Sequence, residues 1–102
     1  MKLKNPQGGG GGASLLERLK YNQDLIGLRD SVNKIFATPH KFLYETTGLE
    51  PVFKRNGQTI YLGKEIDEIS ESGGVGTGYN QVLFKKAPKT GDVLTADYIS
   101  LL

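Results

Sequence analysis

At 102 residues, with thirteen lysines and arginines against eleven aspartates and glutamates (net charge +2), the chain has room for one small domain. It lacks the charge excess of an electrostatic nucleic-acid binder. It contains no cysteine, which excludes a disulfide framework and any thiolate metal site. No apolar run approaches the roughly 20 residues of a membrane span, and Met1-Lys-Leu-Lys4 leads into Asn5-Pro6-Gln7 and five glycines rather than the apolar core of a signal peptide.

Gly8 to Gly12 offer nothing to bury and maximise backbone freedom, so residues 1–13 read as a flexible arm. Ser14-Leu15-Leu16-Glu17 then has capping-box spacing, and Leu15, Leu19, Asn22 and Ile26 recur at intervals of four and three, with Leu16 and Leu25 broadening the stripe. The spacing predicts one amphipathic helix within residues 14–30, with Gly27 weakening its last turn. Its apolar face, with a polar Asn22 among heptad-like positions, packs either on its own domain or on a partner.

From Val32 the period changes. Lys34 to Phe36 and Lys41 to Tyr44 are short extended segments around an Ala37-Thr-Pro-His40 bend, followed by the break Thr46-Thr-Gly-Leu-Glu-Pro51. Val52 to Arg55, Asn56-Gly57 and Thr59 to Leu62 form the strongest hairpin signal, because Asn-Gly accepts the positive φ angles of a tight turn. A serine- and glycine-rich loop with Gly73, Gly74, Gly76 and Gly78 leads into Gln81 to Phe84. A Pro88-Lys-Thr-Gly91-Asp92 turn then precedes Val93 to Tyr98. The expected fold is mainly β, a small antiparallel sandwich or barrel over 31–102, preceded by the arm and the helix. Core candidates are Phe36, Phe42, Tyr44, Val52, Phe53, Ile60, Leu62, Val82, Phe84, Val93, Leu94 and Tyr98, with Val82 and Phe84 on one face.

Chemistry-bearing residues are sparse. His40 is the single histidine, too little for a zinc site without cysteine or an unusual carboxylate set. Asp67, Glu68 and Glu71 do not match the ligand spacing of a calcium loop. Gly73 to Gly78 lacks the Gly-Lys-Ser/Thr of a phosphate loop and leads into a strand, which makes it a flexible β-connection or an interface loop. No serine sits in a nucleophile elbow. No catalytic residue, metal or cofactor is expected.

Four strings taken in order resemble a β-rich module of structural proteins of tailed bacteriophages: Ser31-Val-Asn-Lys-Ile-Phe36, Val52-Phe-Lys-Arg-Asn-Gly57, the run from Glu68 to Tyr79, and the run from Val82 to Tyr98. Glu65-Ile66 stands where that module usually has Asp-Tyr. The resemblance implies a non-enzymatic virion component made in the host cytoplasm, binding capsid, neck or tail subunits through its arm and helix. Leu15, Leu16, Leu19, Asn22 and Ile26 would be the interface. It implies a homo-oligomer or multiple copies in a symmetric particle, with no specific nucleic acid and no membrane as partner. The alternative is a host-surface or glycan-recognition module using loops 46–50 and 73–79, with Tyr79 as its aromatic platform.

Overall fold

The computed structural model describes residues 15–44 and 50–101. The arm, residues 1–13, lies outside them, as does most of the 46–50 loop. Seven strands form two antiparallel sheets. The first has the order β1 (Leu19–Asp24), β7 (Leu94–Ile99), β3 (Val52–Arg55), β4 (Gln58–Ile60); the second has the order β2 (Ile35–Phe42), β6 (Tyr79–Phe84), β5 (Ile66–Ser70).

The sheets enclose one core because their strands alternate. Along β7, Leu94, Ala96 and Tyr98 are buried while Thr95, Asp97 and Ile99 are only half-buried, the period of two expected of a pleated strand with one face inward. Val82 and Phe84 supply the opposite wall, and Phe36 stacks edge-to-face on Phe84 at 5.4 Å between ring centroids. Leu25, Ile66 and Ala96 join this core, whereas Val52, Leu62 and Val93 are exposed.

The amphipathic helix is not formed. The only helical stretch among the described residues is one turn, Leu15–Arg18, and Leu19–Asp24 is instead an edge strand paired antiparallel with β7 in the register Leu19↔Ile99 and Asp24↔Thr95. A lone short helix gains little from its own hydrogen bonds, while the same residues complete a sheet edge. Just past the strand, neighbouring Leu25 and Ile26 point to opposite sides, one fully buried and the other exposed. Asn22 sits at φ 52° in the bulge between Lys20 and Gln23, and its N–H donates to the Asp97 carboxylate at 2.7 Å.

The two sheets do not close into a barrel. On one side they are stitched by the bridges Ile26↔Ala37 and Phe42↔Ser100. On the other, the bridge Leu62↔Ile66 joins the segment after β4 to the start of β5, and beyond it β4 pairs with β3 and β5 with β6, so both remain sheet edges.

Candidate functional site

The turns expected to shape the surface are fastened to one another. Asn56 and Gly57 have φ of 54° and 84°, the paired positive angles of a two-residue hairpin turn. Asn56 then exchanges backbone bonds with the next turn over: its N–H donates to the Val93 carbonyl at 2.7 Å, and its side-chain oxygen accepts from the Val93 N–H at 2.8 Å. Asp92 is the centre of this junction. Its carboxylate accepts from the Lys89 N–H at 3.0 Å and the Asn56 amide at 3.1 Å, and pairs with the Arg55 guanidinium at 2.9 Å. These donors, the Lys89 N–H first, then the Asn56 amide and the Arg55 charge, hold the Asp92 carboxyl below its ordinary range against the effect of burial.

The glycine loop is likewise built around a carboxylate. Glu71 accepts from the N–H groups of Gly76 and Gly78, at 3.0 and 2.9 Å, and its carbonyl accepts from Gly74. Thr77 closes the turn by donating its hydroxyl to the Gly74 carbonyl at 2.6 Å, while Gly73 leaves room for the Thr77 side chain. Successive N–H groups aimed at one anion make the kind of concavity that binds phosphate in other proteins. Here the chain's own glutamate fills it, and the connection into β6 is a hydrogen-bonded turn. Glu71→Ala is expected to speed amide exchange at Gly76 and Gly78 about tenfold or more while leaving exchange in β6 unchanged, as read by NMR.

Tyr79 is packed rather than displayed. Its ring lies 5.2 Å from Tyr44 at a steep angle and 6.2 Å from Phe42, and it is half-buried. His40 is also engaged, its Nδ1 3.0 Å from the buried Tyr98 hydroxyl. Burial pushes the Tyr98 phenol up. Tyr98→Phe is expected to cost about 1 kcal/mol by denaturant titration, the net worth of one such hydrogen bond. Among the described residues no three histidine, aspartate or glutamate side chains are grouped to hold a metal ion.

Of the proposed interface residues, Leu15 and Leu16 lie in the helical turn, Leu19 and Asn22 in β1, and Ile26, just past β1, is a strongly exposed apolar side chain. What joins Ile26 on the surface was not in the expected set. Ile26, Leu28, Val32 and Ile35 are 59%, 71%, 78% and 52% exposed, all within the connection from β1 to β2 and its flanks. Ile26 pairs with Ala37, which shares a face of β2 with Ile35, so Ile26 and Ile35 are diagonal neighbours on the outer surface.

This connection is held by its polar groups. The Asp30 carboxylate accepts from the N–H groups of Val32 and Asn33 at 2.9 and 2.8 Å, which lowers its pKa, the Asn33 bond being the larger cause. The Ser31 N–H donates to the Pro88 carbonyl, and Thr90 donates its hydroxyl to the Arg29 carbonyl. Arg29 turns back under the loop, donating to the carbonyls of Leu25 and Gly27 and reaching that of Asp92, with its guanidinium 5.4 Å from the Phe36 ring centroid. Lys34, Lys85, Lys86 and Lys89 are exposed on these bonded segments, and none forms an ion pair among the described residues. An arginine seven residues ahead of an aromatic, followed by Asp30-Ser-Val-Asn33, was the available sign of a locked loop.

No family model, curated protein or solved structure matches the chain. The virion role expected from the resemblance depended on docking through an arm and an amphipathic helix. With Leu19–Asp24 in a sheet and no match to a virion protein, that role has no structural or comparative basis.

Proposed function

We propose that this chain is a non-catalytic docking module that binds an acidic protein surface with an apolar centre through the loop between β1 and β2. The carrying observation is that the loop's backbone is fixed while Ile26, Leu28, Val32 and Ile35 point into solvent. Exposed apolar side chains on a rigid frame lose little entropy on binding, which is the economy of a preorganised interface. Scattered single hydrophobics need no explanation; four on one ordered segment do.

Charge selects the partner. The lysines at 34, 85, 86 and 89 are exposed on segments bonded to one another, the Phe84 N–H donating to the Lys34 carbonyl and the Ser31 N–H to that of Pro88, so a partner with carboxylates around its apolar surface gains attraction and faster encounter. Two copies meeting symmetrically through this face would set like charges against each other. The imidazole and carboxylates described above are committed to structural bonds, which favours binding over catalysis.

The test places a photo-crosslinking amino acid at Val32 in the full chain within the cells that express it, with Val75, fully exposed on the glycine loop, as the control. A discrete adduct from position 32, mapped to an acidic and apolar segment of another protein and absent from position 75, is the expected result. Equal adducts from both positions, or adducts to a second copy of the chain, would overturn the proposal.

A further inference from the structure

The hairpin turn between β3 and β4 carries a chemical reactivity of its own. Asn56-Gly57 is the one Asn-Gly pair in the chain, and glycine puts no side chain in the way of its own nitrogen. In an unrestrained chain that nitrogen gives its proton to water and attacks Cγ of Asn56. A C–N bond forms, the Cγ–Nδ2 bond breaks, and ammonia leaves with a proton returned by water. Water then opens the resulting five-membered imide at either carbonyl, giving aspartate or isoaspartate. Water is the only co-reactant.

The turn is open to this attack at one partner and closed at the other. Both residues are exposed, the Gly57 N–H has no acceptor among the described residues, and a Cβ built on Gly57 would meet nothing within 4 Å. The Asn56 side chain, by contrast, is held at both ends: its amide donates to Asp92 Oδ1 at 3.1 Å, and its oxygen accepts from the Val93 N–H at 2.8 Å. Its backbone is fixed too, at φ 54° with the N–H on the Val93 carbonyl. Closing the imide ring turns the side chain and the following peptide toward each other, which breaks these bonds. Asp92 is a firm anchor, because its other carboxylate oxygen is held by Arg55 and by the Lys89 N–H.

We infer that Asn56 is a self-modification site that the Asp92 junction keeps shut, and that conversion after a local opening prevents the junction from re-forming. Aspartate at position 56 sets a second carboxylate against Asp92 across the 3.1 Å now spanned by a hydrogen bond, and the two like charges repel. Isoaspartate routes the chain through the side-chain carbon and so lengthens the main chain, in a hairpin whose Arg55↔Gln58 register depends on a two-residue turn. The bond that protects Asn56 is therefore lost with the reaction, which makes the turn a one-way switch. The inference does not rest on docking through the β1–β2 loop.

Turn opening and closing are fast against amide loss, so the rate follows the population of the opened turn. Peptide mapping by mass spectrometry on the full chain at neutral pH reads it. Asn56 in the folded chain is expected to convert at least about tenfold more slowly than in the same chain unfolded in urea. Asp92→Ala, at a temperature where amide exchange at Val82 and Phe84 shows it to be folded, is expected to convert at least about fivefold faster than the folded parent. The isoaspartate form, separated by ion exchange, is expected to exchange its Val93 amide at least about tenfold faster than the parent, with Val82 and Phe84 unchanged. Equal rates in the folded and unfolded chain, an Asp92→Ala rate no higher than the parent's, or parent-like protection of Val93 in the isoaspartate form would each overturn the inference.

Discussion

Asp92→Ala is expected to lower the unfolding free energy by about 3 kcal/mol, because three donors lose their acceptor at once. The Asp92 side chain is only 3% exposed, so water does not readily replace it. The backbone N–H of Lys89, the Asn56 amide and the Arg55 guanidinium all converge on it, and through Asn56 it anchors the β3–β4 hairpin turn to the turn before β7. Arg55→Ala, which removes a more exposed partner and leaves the other two bonds intact, is expected to cost about 1 kcal/mol or less. Urea denaturation of both variants checks this. Equal losses would mean that the ion pair, rather than the turn hydrogen bonds, holds the junction.

The same site sets the response to acid. Asp92 has a folded pKa below its unfolded value, so at low pH the unfolded chain binds more protons. The stability it contributes is complete above the ordinary aspartate value of about 4 and is lost as pH falls through that value and then through the folded one. Asp30 and Glu65, both lowered chiefly by backbone N–H donors, change in the same direction. In Asp92→Asn the loss of stability between about pH 5 and pH 2 is expected to be shallower than in the parent chain.

Gly27→Ala is expected to destabilise by about 2 to 3 kcal/mol, through a collision in the core. An added Cβ would lie 2.6 Å from Cδ2 and 2.9 Å from Cε2 of Phe36. That ring cannot withdraw easily: it is fully buried, packed edge-to-face on Phe84, with the Arg29 guanidinium near its centroid. Thermal unfolding gives the measurement, and the double variant Gly27→Ala/Phe36→Leu, which removes the aromatic edge, is expected to show a smaller cost for the alanine than the single variant does. Additive losses would show that the clash is relieved by backbone movement instead.

Local signals in the sequence were enough to read the Asn56-Gly57 turn and the alternation of Val82 and Phe84, since each depends on neighbouring residues alone. Leu19–Asp24 was misread because its spacing satisfies a helical period, while the partner that makes it a strand, Leu94–Ile99, is far away in the chain. The role of Glu71 was missed for a different reason. An acidic residue just before a glycine run can serve as the run's internal anion, yet attention to phosphate-loop spacing passes over it. Val52, Leu62 and Val93 read as core because they are apolar and lie in or near extended segments, but which face they occupy depends on register, and register comes from pairing. The docking loop was legible only at Ile26, because exposure of Leu28, Val32 and Ile35 follows from the hydrogen bonds that hold their backbone in place.

Binding of a partner through this loop is measured by titration calorimetry on the protein captured from position 32. Leu28→Asp/Val32→Asp is expected to bind at least about 30-fold more weakly than the parent chain, about 2 kcal/mol, with an unchanged melting temperature. Undiminished affinity in that folded variant would contradict it.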